Sequence, residues 1–241
     1  MPGMNSLEKL LQKADEIESK IGYRFKDRSK LVLAFTHRSF INETRDVLVH
    51  NERLEFLGDS VLGLLMANFI YGRLPDTPEG DLSYIRSRLV EASSCVDYVQ
   101  KLNLEDYILL GKGERIHDGR GRDSILADLF EAIIGAIYLD GGIEAAQKFV
   151  IGKFNEDIEA IIKTPLKNYK AILQDYCQKM FQQTPRYVVL DETGPDHSKQ
   201  FRVIVANGNL ELGKGIGSSK KEAQQAAAED AVNRLHLNEK S

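Results

Sequence analysis

Three acids, Glu52, Glu55 and Asp59, punctuate the otherwise apolar run Asn51-Glu52-Arg53-Leu54-Glu55-Phe56-Leu57-Gly58-Asp59-Ser60. Their spacing of i, i+3, i+7 places all three on one narrow face of a helix. Leu54, Phe56, Leu57, Val61, Leu62, Leu64 and Leu65 cover nearly the whole circumference of that helix, which predicts that it is largely buried. Buried carboxylates are strongly unfavourable unless something neutralises them, and a divalent cation is the simplest agent. A second apolar run, 125–134, carries Asp128 and Glu131 at i, i+3. Two such helices, face to face, build an all-oxygen site of the kind that suits Mg²⁺. The bland alternative is an acidic face in solvent, as on most helices; the apolar circumference speaks against it. Gly58, Gly63 and Gly135 sit inside the two runs, where glycine is worse than alanine by about 1 kcal/mol. Glycines there let backbones approach closely, which would bring the two sets of acids together.

These acids need helices to position them, and the first two-thirds of the chain supply them. Residues 7–21 have helical apolar spacing, with Leu7, Leu10, Leu11, Ala14 and Ile17 on one stripe. A short helix over 31–35 precedes Thr36-His37-Arg38-Ser39. The first acid helix spans about 53–71, and Pro75 and Pro78 mark the turn after it. Glu79-Gly80-Asp81 opens a helix running through Leu89 and beyond. A Gly-rich charged loop follows from Gly111 to Gly121. The second acid helix stops at Asp140-Gly141-Gly142, and an amphipathic helix covers 143–162. This makes 1–163 a mainly α domain. The pattern changes at Lys163-Thr164-Pro165. Beyond it come a helix over 166–181, strands over 187–191, 199–206 and 210–213, and a helix from the capping box Ser219-Lys220-Lys221-Glu222 to Leu235. Asn207-Gly208 is a hairpin signal. The alanine face Ala223, Ala226, Ala227, Ala231 predicts close packing on the sheet. The order α-β-β-β-α over 165–236 is a small α+β domain.

Composition narrows the classes. Of 241 residues 42% are hydrophobic and 28% charged, enough for one large core or two smaller ones. No uninterrupted apolar run reaches the ~18 residues that span a bilayer. The first residues lack the pattern of a signal peptide. Cys95 and Cys177 are distant and form no CxxC, so they read as free thiols in a reducing, cytoplasmic setting, and a structural zinc site is excluded. The net charge of −4 argues mildly against a polyanion partner, but the stretch after Pro165 is slightly basic, so a local binding face stays open. The loop cations Lys112, Arg115, Arg120 and Arg122 either contact phosphate or are simply solvated. The glycines there lack the downstream GK[ST] of a P-loop. His117-Asp118 lacks the further spaced histidines of an HD metal site, and His117 reads as a loop residue.

The run 51–60 resembles the signature of ribonuclease III without a gap. The likeness extends to Thr36-His37-Arg38-Ser39, Glu79-Gly80-Asp81, Leu110-Gly111-Lys112-Gly113-Glu114 and Ser124-Ile125-Leu126-Ala127-Asp128. The segment after Pro165 is similar to the double-stranded RNA-binding domain that follows the catalytic domain in the bacterial enzyme. The resemblance implies a ribonuclease III endonuclease fold followed by that module. It implies that Glu55, Asp59, Asp128 and Glu131 hold catalytic Mg²⁺, with Mn²⁺ able to substitute and Asp59 and Glu131 at the centre of the chemistry. Glu52 and Glu79 match auxiliary acids. Phe56 is core packing on the plain reading; the resemblance makes it the anchor of a homodimer. The implied activity is hydrolysis of both strands of duplex RNA, with 5′-phosphate and 3′-hydroxyl ends, short 3′ overhangs, and roles in ribosomal and messenger RNA processing. No membrane and no small-molecule cofactor is implied.

In the second domain Lys220 and Lys221 occupy the first turn of a helix, where the dipole disfavours cations. A phosphate bound there explains them better. His197, in the loop Gly194-Pro195-Asp196-His197, and Gln174, Asp175 and Gln178 on the first helix are placed to reach minor grooves of an A-form duplex. The lysine run is short: Gln224 or Gln225 stands where a third basic residue is often found. A non-catalytic duplex-RNA-binding protein is the main rival reading, and intact Glu55, Asp59, Asp128 and Glu131 speak against it. A metal phosphohydrolase for small nucleotides is weaker still, since it needs no duplex clamp.

Overall fold

The apolar stripe over 7–21 folds as two helices, α1 (Ser6–Gln12) and α2 (Ala14–Ile21), because Lys13 leaves helical geometry at ψ 3°. Gly22 closes α2 at φ 78°, its N–H donating to the Glu18 carbonyl, a left-handed cap that glycine adopts without strain. The computed structural model describes residues 6–41, 49–116, 121–164, 169–193, 199–217 and 219–237. Contacts divide the chain into two units, Met1–Thr164 and Pro165–Ser241.

In the first unit α3 (Arg28–Ala34) and α4 (Arg38–Ile41) lead to α5 (Glu52–Arg73), the first acid helix. The helix expected to run past Leu89 breaks at Val90, giving α6 (Glu79–Leu89) and α7 (Ala92–Leu102). The Gly-rich loop begins with a short helix, α8 (Lys112–Ile116); His117 and Arg120 lie outside the described residues. The second acid helix and its amphipathic successor are joined as α9 (Arg122–Lys163), with a kink at Gly142, φ 82° and ψ −175°. The kink is tied down from a distance. Asp140 accepts hydrogen bonds from Tyr23 Oη (2.7 Å) and from the backbone N–H of Lys26 (2.8 Å) and Asp27 (3.1 Å).

α5 lies along α9, and glycines make the contact possible. A Cβ on Gly58 would sit 1.8 Å from the Glu131 carbonyl oxygen, and one on Gly135 2.3 Å from that of Leu54. Gly63 plays no such part: nothing lies within 4 Å of its would-be Cβ. Nor is α5 buried all round. Phe56 (77%), Leu64 (60%) and Tyr71 (76%) form an exposed stripe, whereas Leu54, Val61, Leu62, Leu65 and Met66 are buried. One flank of α5 therefore lacks a neighbour among the described residues of the unit. By length and composition α5 also passes for a membrane span, because its acids interrupt the apolar run without lowering the average enough. Its packing on α9 explains its apolar character. The far side of α9 is fixed by an aromatic nest, with Tyr98 of α7 4.4 Å from Phe154 and 5.1 Å from Phe130 between ring centroids.

The second unit has α10 (Tyr169–Phe181), then β1 (Arg186–Thr193), β2 (Gln200–Asn207) and β3 (Leu210–Gly217) in an antiparallel sheet of order β1-β2-β3, and α11 (Lys220–Arg234). The hairpin turns at Gly208, φ 57°. β3 runs four residues beyond the expected 210–213. Its alternating glycines explain both the miss and the fact. A Cβ on Gly215 would lie 2.2 Å from the Ala227 nitrogen, and one on Gly213 2.6 Å from the Ala227 carbonyl oxygen. The buried alanines of α11 are Ala223, Ala227, Ala228 and Ala231, and Ala226 is only partly covered.

Candidate active site and duplex-binding surface

The N-terminus of α5 is pinned by Asn51. Its backbone N–H donates to the Thr36 carbonyl (2.9 Å) and its side-chain amide to the Ala34 carbonyl (3.3 Å), while its own carbonyl accepts from Leu54 and Glu55. Glu52 and Glu55 thus enter the first turn, where the helix dipole favours negative charge. From α9, Asp128 and Glu131 face the same space. One carboxylate oxygen each from Glu55, Asp128 and Glu131 lie within 4.8 Å of one another. Such a trio of hard oxygen donors fits a divalent cation.

Their titration reports the crowding. Burial, then the charges of Asp59, Asp128 and Glu55, push the Glu131 carboxyl up to about 8. Burial also raises Glu55 and Asp128, and the positive charge of Arg38 opposes the rise at both. Asp59 is exposed and stands outside the trio, yet its charge is the foremost one acting on Glu131. Glu52 is turned elsewhere: Arg38 Nη1 donates to it at 3.3 Å, and His50 Nδ1 lies 3.6 Å from its second oxygen. Glu79 is exposed at the start of α6 and accepts from Ser83 Oγ at 2.9 Å.

Glu55 and Asp128 border a cavity of about 360 Å³ whose walls include His37, Arg38, Glu52, Glu114 and Ser124. His37 is held inside it. Ser39 Oγ accepts the Gly111 N–H (2.9 Å) and sits 2.8 Å from His37 Nδ1, which also takes the Ser39 N–H at 3.2 Å. That network makes Nδ1 the acceptor and leaves the ring proton on Nε2. Burial lowers the pKa of His37 from its ordinary value, in keeping with a neutral ring.

On the second unit, Ser219 caps α11 by accepting the Glu222 N–H at 3.2 Å, so Lys220 and Lys221 stand exposed in the first turn. A third cation joins them from α10. Lys170 Nζ donates to Gln224 Oε1 at 2.8 Å and lies 4.9 Å over the Tyr187 ring. Burial and then the charge of Lys221 lower its pKa. Gln174 and Asp175 are exposed on α10, Asp175 paired with Lys179 at 2.6 Å. Gln178 borders a separate polar cavity with Arg186 and Gly208. His197 lies outside the described residues.

Residues 27–158 match the family model described as ribonuclease-III-like, and residues 169–235 match the double-stranded RNA binding motif. Ribonuclease 3 of Protochlamydia amoebophila is 65% identical over 234 residues, 97% of each chain. The chain belongs to the ribonuclease III family. Ribonuclease 3 of Caldanaerobacter subterraneus is 44% identical, over 92% of this chain and 97% of that protein. The nuclease domain of ribonuclease III from Campylobacter jejuni, described as flexible in the region involved in dimer formation, aligns at 39% identity and a TM-score of 0.54; it covers 59% of this chain and 96% of that one. As a ribonuclease III, the chain is an endoribonuclease acting on double-stranded RNA, a hydrolase, and its fold is the helical nuclease domain followed by the duplex-binding module. The rival reading as a mere binding protein falls with that membership.

Sequence reasoning assigned no role to His37, Arg38, Asn51, Glu114 or Ser124. Four of these lie in segments that carry the family likeness, Thr36–Ser39, Gly111–Glu114 and the start of α9, and Asn51 opens the signature itself. The segments were legible; that their side chains converge was not. Lys170 had no signal, since its meaning depends on Gln224, 54 positions away.

Proposed function

We propose that this ribonuclease III cleaves duplex RNA with Mg²⁺, or Mn²⁺ in its place, held by Glu55, Asp128 and Glu131 and joined by Asp59. The observation that carries the reading is the convergence of three carboxylates from two helices within 4.8 Å. When bound, the ion supplies an activated water near neutral pH and offsets charge on the phosphoryl oxygens. The chain's own groups do the rest. Glu131, partly buried and proton-holding near neutrality, gives up its proton to become a ligand. Asp59, exposed one turn along α5, is free to swing toward the same point. Glu52 and Glu79 are auxiliary, acting on surrounding groups. Hydrolysis leaves 5′-phosphate and 3′-hydroxyl ends, and the substrates are precursors of ribosomal RNA and some messenger RNAs.

In this reading 1–163 is the nuclease domain and 165–236 the duplex-binding domain. Lys220, Lys221 and Lys170 take phosphates, and Gln174, Asp175, Gln178 and His197 address the minor grooves. The stripe Phe56, Leu64 and Tyr71 is the seam of a homodimer, in which an exposed aromatic is a natural anchor. The enzyme works in the cytoplasm, with no membrane partner and no small-molecule cofactor.

The test is a paired assay on Glu131→Gln. Glutamine keeps size and one carbonyl oxygen but removes the charge on which Mg²⁺ binding depends. Duplex affinity in Ca²⁺ should stay near wild type, while single-turnover cleavage at low Mg²⁺ falls by about a hundredfold or more. Cleavage within a few-fold of wild type would remove Glu131 from the metal site.

A further inference from the structure

The cavity beside the metal acids must admit a polyanion, yet its charged walls are mostly acidic. Glu52, Glu55, Glu114 and Asp128 line it, and Arg38 is the one lysine or arginine among the described residues that does so. We propose that Arg38 binds a phosphate of the RNA strand next to the scissile bond, and that Glu52 positions its guanidinium rather than holding metal. The inference rests on the ribonuclease III reading of the site and assigns it a substrate-binding residue.

Three features of the structure support it. The guanidinium is available: the Arg38 side chain is 69% exposed and its contact with Glu52 is a single bond of 3.3 Å, not a two-pronged clamp. An arginine fork so placed can take a phosphate while keeping its carboxylate neighbour. The backbone beneath it is rigid. The Thr36 carbonyl accepts from Asn51, His37 N–H donates to the Leu109 carbonyl (3.1 Å), and Ser39 Oγ takes the Gly111 N–H (2.9 Å). Arg38 therefore opens α4 from a segment tied on one side to the start of α5 and on the other to residues 109–111. It also lines the same cavity as Glu55 and Asp128, so a phosphate it holds lies beside the metal acids.

Glu52 fits the positioning role for a separate reason. Its two oxygens face Arg38 and His50, whereas the oxygens of Glu55, Asp128 and Glu131 face one another. Three acids aim at a common point and the fourth aims at a cation. A carboxylate so engaged restrains a long side chain that would otherwise sample many rotamers, and it leaves the guanidinium at the mouth of the cavity.

The experiment uses the full chain and a short RNA duplex with one cleavage site, unmodified or with a methylphosphonate at single phosphates flanking that site. Affinity is measured in Ca²⁺ and single-turnover cleavage across a Mg²⁺ titration. Arg38→Ala should bind the unmodified duplex about tenfold more weakly, with its thermal midpoint unchanged, and Arg38→Lys should recover part of the loss. Neutralising one flanking phosphate should weaken wild type by a similar factor and add nothing in Arg38→Ala. Glu52→Gln should give a smaller loss that vanishes in the Arg38→Ala background, with the same Mg²⁺ half-saturation. Unchanged affinity in Arg38→Ala, or a phosphate penalty that persists in it, overturns the assignment. A shift in Mg²⁺ requirement by Glu52→Gln in the Arg38→Ala background makes Glu52 a metal ligand and overturns the second half. A wild-type chain that fails to cut the duplex would instead overturn the nuclease reading beneath it.

Discussion

With its carboxyl pushed up to about 8, Glu131 holds a proton at neutral pH for much of the time when no metal is bound. In the unfolded chain the same group titrates near 4.5. The folded state therefore binds the proton more tightly, and the stability this contributes is full below about 4.5 and lost as pH rises through about 8. Without metal, the thermal midpoint of wild type should fall across that window relative to Glu131→Gln, which has no proton there to lose. Other groups run the other way: hydrogen bonds hold Asp140 and Glu159 below their ordinary values, so their stabilisation is lost at acid pH. The comparison with the glutamine variant isolates Glu131 from them. Metal binding must expel the proton, so Mg²⁺ affinity should climb with pH through the same window, with proton release on binding. Calorimetry in two buffers of different ionisation enthalpy reads that release directly. A pH-independent affinity with no proton released would mean that Glu131 is not a ligand.

Helix contact is what makes the site, and glycine is what makes the contact. At Gly58 a methyl group would collide with the Glu131 backbone at 1.8 Å. Backbone cannot rotate away as a side chain can, so α5 and α9 must separate. Gly58→Ala should destabilise the first unit by about 3 kcal/mol, the upper end of overpacking effects, and lower its thermal midpoint by roughly 6–12 °C. Mg²⁺ affinity should weaken as well, because the acids ride on the two helices. Gly152→Ala is the control: nothing lies within 4 Å of its would-be Cβ, and alanine there should add about 0.5–1 kcal/mol of stability. If Gly58→Ala melts with wild type, the close approach is not essential. On the second unit the start of α11 carries the phosphate reading. Replacing Lys170, Lys220 and Lys221 by alanine one at a time should make the salt dependence of duplex binding shallower by about 0.9 per lost contact, a slope taken from B-form DNA. Lys170 is the telling case. If its removal leaves the slope unchanged while those of Lys220 and Lys221 reduce it, Lys170 only buttresses Gln224 and Tyr187.

At the scale of the whole molecule, the unfilled flank of α5 asks for a partner. Phe56, Leu64 and Tyr71 recur along one stripe, and the bare backbone at Gly63 lies between them. A second copy of the chain, related by a two-fold axis, covers such a stripe with itself. Sedimentation velocity of the full chain at micromolar concentration should show a dimer, and Phe56→Asp should shift it to monomer while the Mg²⁺-binding acids stay folded. A wild-type monomer would assign the stripe to something else. Because each copy carries its own acid trio, dimer formation would set two cleavage sites in one particle, as cutting both strands of a duplex requires.

Apart from the breaks at Lys13 and Val90 and the short helices α4 and α8, element types and their order followed from the sequence, because local periodicity and end signals act over a few residues: the acid spacing on α5, the Ser219 cap of α11, the hairpin at Gly208. So did the pairing of acid helices, since a glycine four residues after Glu131 and another beside Asp59 have little use except close approach. Three things waited for the tertiary structure. Phe56 reads as core or interface alike in the sequence, and only the packing of α5 on α9 leaves it 77% exposed. The separation of Glu52 from the acid trio depends on Arg38, brought to it by the hydrogen bond from Asn51 N–H to the Thr36 carbonyl; spacing alone put Glu52, Glu55 and Asp59 on one face. β3 went half unseen, because alternating glycines carry no strand signal of their own. They become a strand only when an alanine-faced helix settles onto them, so the evidence for β3 lies in α11, and only folding brings the two together.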